Sequence, residues 1–223
     1  MIKSKYSATI TDKPWWLAGG IPRQNGIAAY QPKGASSQAA SYVNLATPGL
    51  YDCTVGNAPA WAVTTGWTFD GTDDYLVTGV IPEADQTWSM IAKFSGVSKT
   101  KGLIGAEVGT NGRFYIFPRR GSADDFLLGN GGYIATGVRL TSGILAVAGV
   151  NGYLNGIHQG VMNATWGGTP GIIIIGALNH AAPPDVTVNL IGEYCDGVIP
   201  AMAIYDIDIS PYITAITNAI DAI

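Results

Sequence analysis

The stretch Trp67-Thr68-Phe69-Asp70-Gly71-Thr72-Asp73-Asp74-Tyr75-Leu76-Val77 sets the reading of everything around it. Trp67 and Phe69 alternate with Thr68, a run of Asp, Gly and Thr follows, and Tyr75 and Val77 resume the period of two. That period is the mark of a half-buried strand. Asp-Gly and Asp-Asp form turns by bonding their side chains to the local backbone, so the segment reads as a β-hairpin. Downstream, Trp88, Met90, Ala92 and Phe94 point one way and Thr87, Ser89, Ile91 and Lys93 the other. This predicts a strand with one buried face.

The rhythm continues outward. Gly, Asn and Asp punctuate the chain roughly every 8 to 12 residues, and short apolar or alternating segments lie between them. Strands are predicted at 103–106, 114–117, 126–128, 133–136, 144–150, 172–175, 186–194 and 199–205, with tight turns at Asn151-Gly152 and Asn155-Gly156. Only residues 210–223 read as helix: Ser210 is placed to cap, Pro211 suits the first helical position, and Ile213, Ile216, Ile220 and Ile223 recur at helical spacing. The fold class is therefore all-β, an antiparallel two-sheet sandwich with one short C-terminal helix. Residues 14–223 form a single domain, and residues 1–13 form either a loose arm or an added edge strand.

Composition narrows the function. Of 223 residues, 47% are hydrophobic, enough for a true core, while Lys plus Arg number 12 and Asp plus Glu 16. A net charge of −4 leaves no basic face to neutralise a phosphate backbone, so nucleic acid is not expected as a partner. The opening Met1-Ile2-Lys3-Ser4-Lys5-Tyr6 shows no signal-peptide pattern, and no apolar run approaches the ~20 residues of a membrane-spanning helix. Cys53 and Cys195 match no metal-ligand spacing; they read as small core side chains, with a disulfide as the alternative. Between Arg139 and Asp185 there is no Asp, Glu, Lys or Arg. Part of so long a neutral stretch must reach the surface, which suggests contact with neighbouring subunits or a partner.

Titratable groups suited to catalysis are few: three glutamates (Glu83, Glu107, Glu193) and two histidines (His158, His180), without a nucleophile or zinc motif. The nearest arrangement to a glycosidase pair is Glu193 and Asp196, whose spacing of three sends them to opposite faces of a strand. No enzyme is expected, and hydrolysis ranks last among the readings. For carbohydrate, the candidate stacking residues are Trp16, Tyr133 and Trp166, drawn from a set that also holds Trp15 and Trp61, and core packing is the rival role of each tryptophan. Asp70, Asp73 and Asp74 could supply oxygen ligands to Ca²⁺, although the same residues serve as turn chemistry; no other cofactor is expected.

Several segments together resemble the laminin G, pentraxin and concanavalin A-like jelly-roll superfamily. Residues 67–76 look like its F-D-G-x-x-D-Y-[LV] motif, residues 87–94 its following strand, Gly152-Tyr153-Leu154-Asn155-Gly156 its Y-V-N-G hairpin, and residues 194–210 its closing F-x-G-x-I…I-Y…L-S pattern. The segments Pro14 to Ile21 and Ala28 to Ala35 are similar to the opening of jelly-roll proteins of tailed bacteriophages. That resemblance implies a virion component made in the host cytoplasm, a head decoration protein or a tail or fibre part. Its implied partners are copies of itself, other virion proteins and a host-surface glycan. The superfamily's calcium ligands and its C-terminal disulfide do not map onto this chain residue by residue.

Overall fold

Alternate side chains of most strands enter one shared interior, and the two sheets that result lie face to face. The computed structural model describes residues 13–83, 85–98, 101–109, 111–120, 125–163, 171–180 and 190–223. Residues 1–12, and with them the expected arm, lie outside that set. Sheet 1 runs β13 (Ile157–Val161), β12 (Asn151–Leu154), β11 (Gly143–Ala148), β6 (Ser89–Ser95), β17 (Val198–Tyr205), β4 (Gly66–Thr68) and β3 (Ala60–Ala62), with β1 (Gly26–Tyr30) also paired to β17. Sheet 2 runs β10 (Gly132–Ala135), β9 (Asp125–Asn130), β8 (Gly112–Arg120), β7 (Ile104–Val108), β14 (Ile174–Ile175), β5 (Tyr75–Val77) and β2 (Thr54–Asn57). β15 (Leu178–His180) lies beside β7 and pairs with β16 (Ile191–Gly192). The β15–β7 pair is parallel, a departure from the expected antiparallel pattern.

The interior holds Trp67, Phe69, Leu76, Met90, Phe94, Phe114, Ile116, Phe126, Leu128, Leu145, Val147, Met202 and Ile204. Trp67 lies at its centre, fully buried between Tyr30 and Tyr42, each 6.0 Å away by ring centroids. Its Nε1 donates to Ser41 Oγ at 2.8 Å. Ser41 sits on the short helix α1 (Gln38–Ser41), whose Ala40 N–H is capped by Ser37 Oγ.

The expected hairpin at residues 67–77 is not one. β4 belongs to sheet 1 and β5 to sheet 2, so the Asp-rich turn carries the chain from one layer to the other. The phase of burial shows why the local pattern misleads: Trp67 and Phe69 point inward, but after the crossing it is Leu76 that is buried, while Tyr75 and Val77 are only half so. Asn155-Gly156 does form the predicted tight turn between β12 and β13, with Asn155 at φ 50°. Asn151-Gly152, by contrast, opens β12 instead of making a turn.

β6 was expected to bury one face and buries both. Met90, Ala92 and Phe94 enter the interior, and Ile91 enters a second apolar layer on the outside of sheet 1. There Trp16, Leu17 and Ile21, from the segment that opens the domain, join Ile213, Ile216 and Ile220 of helix α2 (Ile213–Asp221) over Ala146, Ala148, Ala201 and Ala203. Four alanines leave the depth a helix needs, and each buried isoleucine contributes about 2 kcal/mol. Tyr205 Oη donates to the Trp16 carbonyl at 2.9 Å and ties the two ends of the chain together. Ser210 does not cap this helix: it opens a short 3₁₀ turn, and its hydroxyl donates to the Ala148 carbonyl at 3.3 Å. Cys53 and Cys195 are buried and unpaired, and burial pushes the Cys195 thiol up to about 12.

Candidate functional site

Trp16, Leu17, Ile21 and helix α2 cover the middle of the outer face of sheet 1, and the outer face of sheet 2 carries a cleft. Strand alternation builds it. Phe114 and Ile116 of β8 enter the interior, so Tyr115 and Phe117 stand on the outer side with Leu127 of β9 and Leu178 of β15. Gly129 is what lets the Tyr115 ring lie flat there, because a Cβ at that position would come within 2.6 Å of it. On the neighbouring strand β10, directly opposite Gly129, stands Tyr133, 54% exposed. Arg113, Tyr115, Arg120, Asp125, Leu127 and Tyr133 thus enclose an open cleft of about 290 Å³ with an apolar floor and a polar rim.

A network of charges supports the floor. Arg113 Nε donates to Glu107 Oε1 at 3.2 Å, and its guanidinium lies 5.3 Å from the Tyr133 ring centre. Arg120 stacks over Phe117 at 4.8 Å and over Tyr115 at 5.4 Å, and its Nη1 donates to Tyr115 Oη at 3.1 Å. Its Nη2 lies 3.6 Å from Glu107 Oε2 and 4.0 Å from Glu193 Oε1, so this one side chain stands between two carboxylates. Glu193 Oε1 lies 3.9 Å from His180 Nε2. Burial raises the Tyr115 hydroxyl to about 12, with the Arg120 charge pulling the other way.

Of the sequence-predicted residues that the structure describes, Tyr133 alone lines this cleft. Trp16 is buried on the far side of the molecule, edge-on to Trp15 at 5.9 Å, and is a packing residue. Trp166 lies outside the described residues. Asp70, Asp73 and Asp74 do converge, with one carboxylate oxygen from each within 4.8 Å of the others. The turn itself uses them: Asp70 Oδ1 accepts from the Thr72 and Asp73 N–H groups at 2.7 and 3.3 Å, and Asp74 Oδ2 accepts from the Asp70 N–H at 3.0 Å. The Thr72 N–H holds the Asp70 carboxyl below its ordinary range, while burial raises that of Asp74. β5 stands five strand spacings from β10, about 24 Å, so the acidic turn and Tyr133 do not form one site.

Glu193 and Asp196 were expected on opposite faces of a strand. β16 ends at Gly192, and Glu193 takes a left-handed φ of 54°. Its carboxylate joins Arg120 and His180, whereas Asp196 accepts from the Ser98 N–H at 3.1 Å and from the Ser98 hydroxyl. Arg113 and Arg120 were not singled out in the sequence, and Glu107 stood there only as one of three glutamates. The signal was present: Glu107 and Arg113 flank a Gly-Thr-Asn-Gly turn, and residues directly opposed across a hairpin share a face.

Against known proteins, no family model matches this chain, and no curated protein does. Solved structures share its fold. Domain 4 of AbnA, an extracellular arabinanase from Geobacillus stearothermophilus solved with arabinotriose, is 14% identical, with 86% of this chain and 98% of that one covered and a TM-score of 0.51. The HCR/D W1238A mutant is 13% identical over 88% of this chain and 52% of its own, at 0.54. Trypanosoma rangeli sialidase, solved with 2,3-difluorosialic acid, is 17% identical over 96% of this chain and 36% of its own, at 0.56. This chain therefore spans about half of the second protein and about a third of the sialidase. What these likenesses and the sheet topology define is the fold, a jelly-roll-like sandwich of two mainly antiparallel β-sheets.

Proposed function

We propose that this protein is a non-catalytic glycan-binding module whose binding surface is the outer face of sheet 2. The carrying observation is the exposed Tyr133 ring, set on a rigid strand and framed by Arg113 and Asp125 above an apolar floor. A sugar presents an apolar C–H face to an aromatic ring and hydroxyls to bidentate polar groups around it. Arabinotriose in domain 4 of AbnA is a precedent for sugar on this fold, and supports the reading by fold alone. The absence of catalysis is part of the proposal. Arg120 occupies the space between Glu107 and Glu193 that a scissile bond would need.

Tyr133→Ala is expected to weaken binding to an arrayed oligosaccharide at least 10-fold, about 1.4 kcal/mol. Isothermal titration checks this, and the melting temperature should stay within about 2 °C because the ring is half exposed. Binding that survives the substitution sinks the proposal. Turnover of an oligosaccharide that is lost in Glu107→Gln or Glu193→Gln would restore the hydrolase reading.

The second reading places the module as a repeated subunit of a tailed-bacteriophage particle, where it would contact copies of itself and adhere to a host surface. The sequence resemblance of residues 14–21 and 28–35 supports it. So does β13, an edge strand that exposes Ile157 and Val161 and contains no Lys, Glu or Pro to discourage pairing. Light scattering after size exclusion should show an oligomer. A clean monomer at high concentration, with no association with particles, counts against this reading.

A further inference from the structure

We infer that the glycan taken by the sheet 2 cleft is uncharged, an inference that rests on the glycan-binding reading and names its ligand class. The cations lining the cleft among the described residues are Arg113 and Arg120, and each already stands beside a carboxylate. Glu107 holds both, through Oε1 to Arg113 at 3.2 Å and Oε2 to Arg120 at 3.6 Å, with only 14% of its side chain exposed. Glu193 adds a second carboxylate to Arg120 at 4.0 Å, and Asp125 is the cross-strand neighbour of Arg120 in the ladder. Two carboxylates thus face the two guanidinium groups and a third, that of Asp125, lines the same cleft, and counting His180 as a cation brings the signs only to balance.

An acidic sugar would approach arginines that Glu107 and Glu193 already neutralise, and would meet the repulsion of those carboxylates and of Asp125 in place of an uncompensated cation. The burial of Glu107 Oε2 and Glu193 Oε2, neither with a hydrogen-bond partner among the described residues, adds to the negative potential beneath the cleft. The chain's net charge of −4 opposes an anion at longer range. A neutral sugar meets none of this. Its hydroxyls can accept from the guanidinium edges and donate to Asp125, and its C–H face can pack on the exposed Tyr133 ring.

The test is an array of neutral and acidic oligosaccharides, followed by titration of the tightest neutral binder and its uronic-acid counterpart of equal length. The neutral sugar should bind at least 10-fold more tightly, its Kd should change less than about twofold between roughly 20 and 300 mM NaCl, and Tyr133→Ala should abolish binding. Tyr133→Phe, which keeps the ring, should retain it. Tighter binding of a uronate, sialylated or sulfated sugar that weakens about 10-fold across that salt range and is lost in Tyr133→Ala would overturn this inference while leaving the glycan-binding reading intact. If no sugar of either kind loses binding in Tyr133→Ala, while the nuclear magnetic resonance spectrum shows the variant folded, both fall together.

Discussion

Trp67→Ala is expected to lower the free energy of unfolding by about 3–5 kcal/mol, read as an earlier urea midpoint at unchanged slope. Three losses combine at that position. The indole is fully buried, so its removal opens a cavity at the centre of the interior. Its two flanking rings, Tyr30 and Tyr42, lose the surface they pack on. Ser41 loses the Nε1 donor that fastens helix α1 to sheet 1, although its hydroxyl still donates to the Gln38 carbonyl at 2.6 Å. Trp67→Phe keeps part of the volume and should cost roughly half as much. A loss below ~1 kcal/mol for the alanine variant would mean that the surrounding rings collapse into the gap and that this indole is not the centre of the fold.

Gly176→Ala is the second large effect, about 3 kcal/mol or more. Gly176 has φ +84°, a conformation that alanine adopts only at a cost of about 1–2 kcal/mol. The added methyl would also stand 2.1 Å from Cε1 of Phe69, a ring 2% exposed. Phe69 cannot retreat, because it is the last inward residue before the chain crosses from sheet 1 to sheet 2. Strain at Gly176 therefore reaches both layers. A melting temperature within about 2 °C of the parent protein would show that Phe69 has room to move and refute the account.

Much of the fold is legible in the sequence, because burial at a period of two is local information. Phe114 and Ile116, Phe126 and Leu128, and Met90, Ala92 and Phe94 all enter the interior at the period of two that marks them as strand. What residues 67–77 could not show is which sheet each strand joins. A five-residue turn serves a hairpin and a crossing equally well, and the choice depends on β17 and β2, which pair with β4 and β5 from elsewhere in the chain. The 3₁₀ turn at Trp15–Gly20 and the short strands β2 and β3 have too little periodicity to stand out.

The cleft was legible at one residue. Tyr133 is visible as an aromatic between turns, but Arg113, Arg120 and Glu193 become neighbours only when β7, β8 and the turn after β16 assemble. Trp16 shows the converse. Of its two possible roles, stacking and core packing, the second holds because α2, almost two hundred residues later in the chain, lies across it.

The position of β17 carries a consequence for how this molecule comes into being. It is the strand on which β1, β6 and β4 all pair, and it is the last strand in the sequence. A ribosome delivers those three partners long before the segment that joins them, so one layer stays open along its middle until residue 205 has emerged. Contacts spanning most of the chain form slowly. During that interval the growing polypeptide offers unsatisfied ladder edges to any neighbour.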